Sequence, residues 1–79
     1  MWKENTMFKY AVIFERASDG GFGAYVPDLP GCVAVGDTIE QVHELITEGI
    51  ELHLKGMRED GDAIPEPQTF AEMVEVTAA

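Results

Sequence analysis

The chain has 79 residues, with 15 acidic and 5 basic side chains and a formal net charge of −10. This length corresponds to one small domain, and a hydrophobic content of 46% is typical of a folded chain. The excess of carboxylates disfavours direct binding of DNA, RNA or an anionic membrane surface, because these polyanions need Lys and Arg for neutralisation. A basic protein partner would be attracted instead, although an acidic surface also serves solubility alone.

A domain of this size buries only about 60% of its unfolded surface, so it needs additional stabilisation. Cys32 is the only cysteine, which excludes an internal disulfide, and no metal-ligand or cofactor motif is recognisable. We therefore expect a homo-oligomer, a dimer or tetramer, without metal or cofactor. No segment resembles a signal peptide or a membrane span, so we expect a cytoplasmic protein. Residues 1–6 are expected to form a disordered tail and residues 7–79 a single domain.

The first half of the chain predicts three strands. Residues Phe8–Glu15 alternate with a two-residue period, which is typical of a strand. The turn signal Ser18-Asp19-Gly20-Gly21 then predicts a hairpin, with Phe22–Val26 as an antiparallel second strand. The short apolar segment Cys32–Val35 predicts a third strand, which Gly36 ends.

The second half predicts one helix and a last strand. Thr38-Ile39-Glu40-Gln41 fits a capping box, and apolar residues at three- and four-residue steps predict a helix that ends near Glu59, before Asp60-Gly61-Asp62. Pro65 and Pro67 favour an extended connector. Residues Phe70–Thr77 predict a fourth strand, parallel to the first, since a helical crossover permits that pairing. The order β-β-β-α-β indicates an α+β fold, a small mixed sheet with one helix on one face.

The most distinctive segment lies between the second and third strands. It contains Pro27, Asp28, Leu29, Pro30, Gly31 and Cys32. Proline fixes φ and glycine permits turns that other residues avoid, so these residues predict a rigid corner. We interpret Cys32 as a small buried hydrophobic residue, because no base that would activate it as a nucleophile is recognisable.

The corner also resembles a motif of the HicB-like antitoxin family, Asp28-Leu29-Pro30-Gly31-Cys32 in this chain. The resemblance covers nearly all of residues 7–76, in an order and spacing that together are specific. The other segments that carry it are Tyr10–Glu15, Gly23–Pro27, Gly36–Val42, Ile50–Leu54, Asp60-Gly61 and Ile64–Pro67.

This resemblance implies a truncated ribonuclease H-like fold without catalytic carboxylates. It implies the antitoxin of a type II toxin–antitoxin pair, which neutralises a small basic HicA-like toxin, an mRNA-cleaving ribonuclease, by direct contact. Many members of the family carry a C-terminal DNA-binding domain. Because the predicted fourth strand runs almost to Ala79 without a basic recognition helix, we expect a single-domain member that makes no DNA contacts of its own.

Two other functions remain open on the sequence. The first is an oligomeric interaction module without a toxin partner, which the additional apolar residues Ile13, Leu52 and Leu54 favour. The second is a metal-dependent nuclease that uses carboxylates at strand ends. The predicted first strand contains no Asp, whereas ribonuclease H-like nucleases place one there, so we expect a protein that is not an enzyme.

The expected contact residues for a toxin are exposed acidic side chains near the corner and at the start of the helix. We select Asp28, Asp37, Glu40 and Glu44. His43 and His53 are ten residues apart on the predicted helix and point in different directions, so they are not expected to share a metal ion. The sequence predicts no catalytic, cofactor-binding or metal-binding residue.

Overall fold

The computed structural model describes residues 7–78, so the expected tail at residues 1–6 and the last residue lie outside the described part. Three strands form an antiparallel sheet in the order β1-β2-β3, and one helix follows them. The strands and the helix are β1 (Ile13–Arg16), β2 (Phe22–Tyr25), β3 (Val33–Gly36) and α1 (Ile39–Glu59).

The predicted boundaries of the first strand are wrong, because β1 begins at Ile13 rather than at Phe8. Ile13 pairs with Tyr25, the last residue of β2. Beyond Tyr25 the chain bends at Pro27, which has no backbone N–H to donate, so residues 8–12 have no β2 backbone opposite them. The second and third strands are confirmed with boundaries that differ by one residue.

The predicted alternation of side chains in the first strand extends beyond the ladder itself. Tyr10, Val12 and Phe14 all pack against the buried core on one side of the sheet. On the opposite side, Ile13, Tyr25 and Val33 lie next to one another across the three strands. Tyr25 and Val33 are exposed there, since α1 covers only the other face.

The predicted helix is confirmed at both ends. Thr38 is the N-cap, and its Oγ1 accepts a hydrogen bond of 3.0 Å from the backbone N–H of Gln41. The Gln41 Oε1 in turn accepts from the N–H of Asp37 at 2.7 Å, one residue earlier than a standard capping box would place it. The helix ends at Glu59 with Asp60 as its C-cap, and Gly61 follows with φ of +77°, a conformation that glycine adopts without strain.

The core lies between α1 and the sheet, and the corner contributes to it. The fully buried apolar residues are Ala24, Val26, Leu29, Cys32, Val42 and Ile46. Backbone hydrogen bonds from Leu29 to Val26 and from Cys32 to Leu29 close the corner, and Gly31 supplies a positive φ of +89°. The chain therefore turns at the predicted corner, and Cys32 is buried as expected. Burial raises the pKa of the Cys32 thiol.

The predicted fourth strand is wrong for the single chain. Within residues 7–78, the sheet has three strands and none follows α1. The segment at 69–71 lies beside residues 9–12. No backbone hydrogen bond joins these two segments. The radius of gyration is 15.2 Å, against about 12 Å for a compact chain of this length.

Candidate partner-binding surface

One side of α1 carries a row of exposed carboxylates. Glu40, Glu44, Glu48 and Glu51 are all exposed, and they follow one another at steps of three or four residues. This spacing places them on one side of the helix over about 16 Å. No Lys or Arg occurs in the sequence between Glu40 and Glu51. We call these four residues the acidic face.

The first two residues of the acidic face border a shallow groove at the start of α1. Glu40 and Glu44 line it together with Ile39, His43 and Thr47. The His43 ring stacks on the ring of Phe14, with 6.2 Å between centroids and 8° between planes, which fixes one wall of the groove. Ile39 stays 40% exposed. The groove thus combines an apolar wall with a charged rim, as protein interfaces do.

The acidic face opposes the stability of the helix that carries it. Like charges four residues apart destabilise a helix by roughly 0.2–0.5 kcal/mol per pair. The pairs Glu40–Glu44 and Glu44–Glu48 both have this spacing. A partner with positive charge would remove the repulsion, and the face is fully accessible for one.

Asp37 is close in sequence to the residues of this groove, but it lines a different depression. That depression is formed by the β1–β2 turn and the end of β3, where Gly21, Phe22 and Gly36 are among its lining residues. The structure therefore brings Glu40 and Glu44 together, and it places Asp37 on the other side of the helix start.

Asp28 has a role that the sequence analysis missed. Its Oδ2 accepts hydrogen bonds from the backbone N–H groups of Gln68 (2.9 Å) and Thr69 (3.0 Å), and its Oδ1 accepts from Thr69 Oγ1 (2.9 Å). These backbone donors, followed by the hydroxyl, hold the pKa of Asp28 below its usual range. The carboxylate thus fixes a segment that lies 40 residues further along the chain.

Tyr10 holds the same segment at a second point. Its hydroxyl donates a hydrogen bond to the carbonyl of Pro65. Burial raises the pKa of Tyr10, and the nearby charge of Asp28 raises it further. We call Tyr10 and Asp28, with the backbone they bind at residues 65–69, the connector clamp. A tyrosine whose ring faces a core usually finds an acceptor for its hydroxyl, and that was the only signal of this contact in the sequence.

Replacing Asp28 with Ala should release the connector while the helix and sheet remain folded. The variant removes the two carboxylate oxygens that accept three hydrogen bonds from Gln68 and Thr69. The Asp28 side chain itself is not part of the buried core. We expect the amide protons of Gln68 and Thr69 to exchange with solvent much faster, as measured by NMR-detected hydrogen exchange. Unchanged exchange at both amides would contradict the clamp.

The same contact gives a pH dependence with a defined sign. Because the pKa of folded Asp28 is lowered, the clamp stabilises the folded state above the ordinary carboxyl pKa near 3.8. That contribution is lost as the pH falls through the lowered value. Asp28→Asn should be milder than Asp28→Ala, since its carbonyl oxygen can still accept from the two amides. In the wild type, protection of the Gln68 amide against hydrogen exchange should fall as Asp28 becomes protonated at low pH. In both variants this fall should be absent.

Within residues 7–78 there is neither a cluster of potential metal ligands nor a helix that could span a membrane. The described residues contain no group of three or more His, Cys, Asp or Glu side chains that could hold a metal ion. His43 is exposed at the groove and His53 is half-buried further along α1. In this part of the chain, α1 is not apolar enough to cross a bilayer.

Comparison with known proteins identifies relatives along almost the whole chain. A UPF0150 protein of Synechocystis sp., ssr1765, is 31% identical over 70 residues, which are 89% of this chain and 89% of the relative. An uncharacterised 14.9 kDa protein of Haemophilus phage HP1 is 32% identical over 82% of this chain and 48% of its own length.

The structure is also similar to a chain of a solved complex, described as the HicA3 and HicB3 toxin–antitoxin complex. The TM-score is 0.63 with 28% sequence identity, over 77% of this chain and 70% of that one. The sequence profile of the family described as HicB-like antitoxin of bacterial toxin–antitoxin systems matches residues 10–78. The profile therefore includes the corner, the acidic face and the connector clamp, and the chain belongs to the HicB-like antitoxin family.

Proposed function

We propose that this protein is an antitoxin that binds a HicA-like mRNA-cleaving toxin by direct contact and neutralises it in the cytoplasm. In this role it is a ribonuclease inhibitor and not an enzyme. The observation that carries the proposal is the acidic face beside an apolar groove, on a member of an antitoxin family. The similarity to a chain of a toxin–antitoxin complex supports it.

The physical basis is competition for the same positive charges. A ribonuclease holds the phosphates of RNA with Lys and Arg side chains. Carboxylates spaced along one side of α1 would occupy those side chains and exclude RNA. Attraction between an acidic inhibitor and a basic enzyme also speeds association, and this effect falls as salt rises.

Within this proposal the toxin contacts Asp28, Asp37, Glu40 and Glu44. Asp28 lies in the corner before β3, whereas the other three lie after β3, at the start of α1. Three hydrogen bonds already use the Asp28 oxygens, so Asp28 would contribute its negative charge. A variant of Asp28 would therefore change the connector clamp and the toxin binding together. Glu40 and Glu44 are the better positions for a test, because both are exposed and line one groove.

Two further features belong to the proposal. We assign the fold to a truncated ribonuclease H-like type that lacks catalytic carboxylates, and we expect a homo-oligomer. The sheet face opposite α1, which we call the outer sheet face, exposes Tyr25, Val33 and Val35, and the C-terminal residues expose Phe70, Met73, Val74 and Val76. Both surfaces support self-association, because exposed apolar surface of this kind marks interaction sites. The same surfaces would also suit an interaction module without a toxin partner.

The test uses the purified chain and a purified small basic HicA-like protein. We expect a stable complex by isothermal titration calorimetry and loss of the partner's mRNA cleavage at equimolar antitoxin. Co-expression should restore the growth of cells that produce the toxin. A partner that is not toxic, or that stays active in the presence of this chain, would contradict the proposal and favour the interaction module. RNA cleavage by this chain alone with Mg²⁺ would contradict the assignment as a non-enzyme.

A further inference from the structure

The last residues of the chain are unusually apolar for a segment in contact with water. Phe70, Met73, Val74 and Val76 are between 74% and 100% exposed. Val74 and Val76 also have the two-residue spacing of one strand face. We call residues 70–78 the C-terminal segment. Its sequence is that of a strand, but no strand of the described chain pairs with it.

The connector clamp holds the start of this segment beside an open edge of the sheet. Asp28 fixes Gln68 and Thr69, and Thr69, Phe70 and Ala71 lie beside Lys9–Val12. Within residues 7–78, β1 pairs with β2 on one side and with no strand on the other. An open edge next to an unpaired apolar segment is a template for strand addition.

We propose that the C-terminal segment of one copy pairs as an added strand with residues 8–16 of a second copy, which are β1 and the five residues before it. We call residues 8–16 the receiving edge. A two-fold axis beside this edge would let both segments exchange at once, which closes a dimer. The occupant is a second copy because the C-terminal segment already begins at this edge in its own chain without pairing there.

Charge favours this pairing locally. The receiving edge contains two basic residues, Lys9 and Arg16, and one acidic residue, Glu15, so its net charge is +1 in a chain of net charge −10. The C-terminal segment contains Glu72 and Glu75 and no basic residue. Acidic and basic residues on neighbouring strands attract each other.

The extent of the surface also suits a dimer. Each copy would contribute its C-terminal segment and its receiving edge, which approaches the roughly 20–30 residues a side of a standard interface. Two chains of net charge −10 repel each other, so the dimer should tighten as salt screens that repulsion. The inference deepens the proposed self-association and does not require a toxin.

The first experiment measures mass in solution by sedimentation equilibrium on the full chain. We expect a dimer for the wild type and a monomer for Met73→Pro/Val74→Pro. The N–H groups of two consecutive residues point to opposite edges of a strand. Two consecutive prolines therefore remove one N–H donor from each edge, so the pairing loses a hydrogen bond whichever edge faces the second copy. Both positions are exposed in the single chain, and circular dichroism should show the same folded monomer.

A matched control tests the other apolar surface. Val33→Thr/Val35→Thr changes two exposed residues of the outer sheet face and keeps β-branched side chains. This variant should remain a dimer. A dimer that persists in Met73→Pro/Val74→Pro, or a wild-type monomer, would overturn the proposal, and loss of the dimer in the Val33→Thr/Val35→Thr control alone would assign the interface to the sheet face.

The second experiment separates exchange between copies from pairing within one chain. The Met73→Cys variant, made without ¹⁵N, carries a nitroxide spin label at position 73. It is mixed with ¹⁵N-labelled wild-type protein that carries no nitroxide. Cys32 is buried and its thiol pKa is raised, so it reacts slowly with the label at neutral pH. We expect broadening of the amide signals of residues 8–16 in the ¹⁵N copy. No broadening there would overturn the proposal, whatever the outcome of the toxin experiment.

Discussion

Leu29→Ala should lower the free energy of unfolding by about 3 kcal/mol, which is a large part of the roughly 4–12 kcal/mol expected of a domain of this size. Leu29 is 1% exposed and is among the largest fully buried side chains. The residue lies in a corner that three backbone hydrogen bonds close, so the surrounding chain cannot easily collapse into the cavity. Urea denaturation followed by circular dichroism measures the change.

The matched control for this prediction is Val33→Ala, four residues further along the chain. Val33 is 68% exposed, and substitutions at such positions usually change stability by less than about 0.5 kcal/mol. Equal effects of Leu29→Ala and Val33→Ala would mean that the corner does not contribute to the core.

The corner therefore has a structural role that explains its value as a family motif. Pro27 and Pro30 restrict the backbone, Gly31 supplies the positive φ, and Leu29 and Cys32 fill the core. An acid and a thiol that are close in sequence thus point in different directions. Cys32 faces α1, where an added Cβ at Gly49 would lie 3.7 Å from its Sγ, and Asp28 faces the connector.

The parts of the fold that depend on local sequence could be predicted. The helix begins at an N-cap and ends before a glycine with positive φ, and both signals lie within a few residues of the ends. The hairpin and the corner have equally local signals. Here the chemistry of neighbouring residues determines the backbone, so pattern and structure agree.

The parts of the fold that depend on a segment far away in the sequence could not be predicted. Residues 8–12 and 70–77 both have the alternation of a strand, yet a strand exists only where another backbone lies opposite in register. For residues 8–12 that backbone bends away at Pro27, and for the C-terminal segment none occurs within the described chain. Alternation predicted which side chains pack on the core, but not which backbones pair.

The candidate surface divides in the same way. The acidic face follows from helical spacing, so Glu40 and Glu44 could be placed together from the sequence. The bonds of Asp28 to Gln68 and Thr69 span 40 residues, and no local pattern indicates them. An exposed acid in a loop looks the same in sequence whether it faces solvent or caps a distant segment.

Glu44→Lys should weaken toxin binding about tenfold, or 1.4 kcal/mol, while making the antitoxin itself more stable. The residue lies at the middle of the acidic face, four residues from both Glu40 and Glu48. The substitution replaces two repulsive pairs with two attractive ones, which together should stabilise the helix by about 1 kcal/mol. Calorimetric titration with the toxin and urea denaturation of the free variant measure the two effects.

The opposite signs of these two effects separate the interface from the fold, because a damaged antitoxin would lose both affinity and stability. Glu59→Lys is the control for net charge, since it makes the same change at the exposed C-terminal end of α1. There a positive charge is favourable to the helix dipole, and toxin affinity should stay close to that of the wild type. Affinity should also depend less on salt in Glu44→Lys than in either the wild type or Glu59→Lys. Equal losses of affinity in the two variants would mean that overall charge, rather than the acidic face, attracts the toxin.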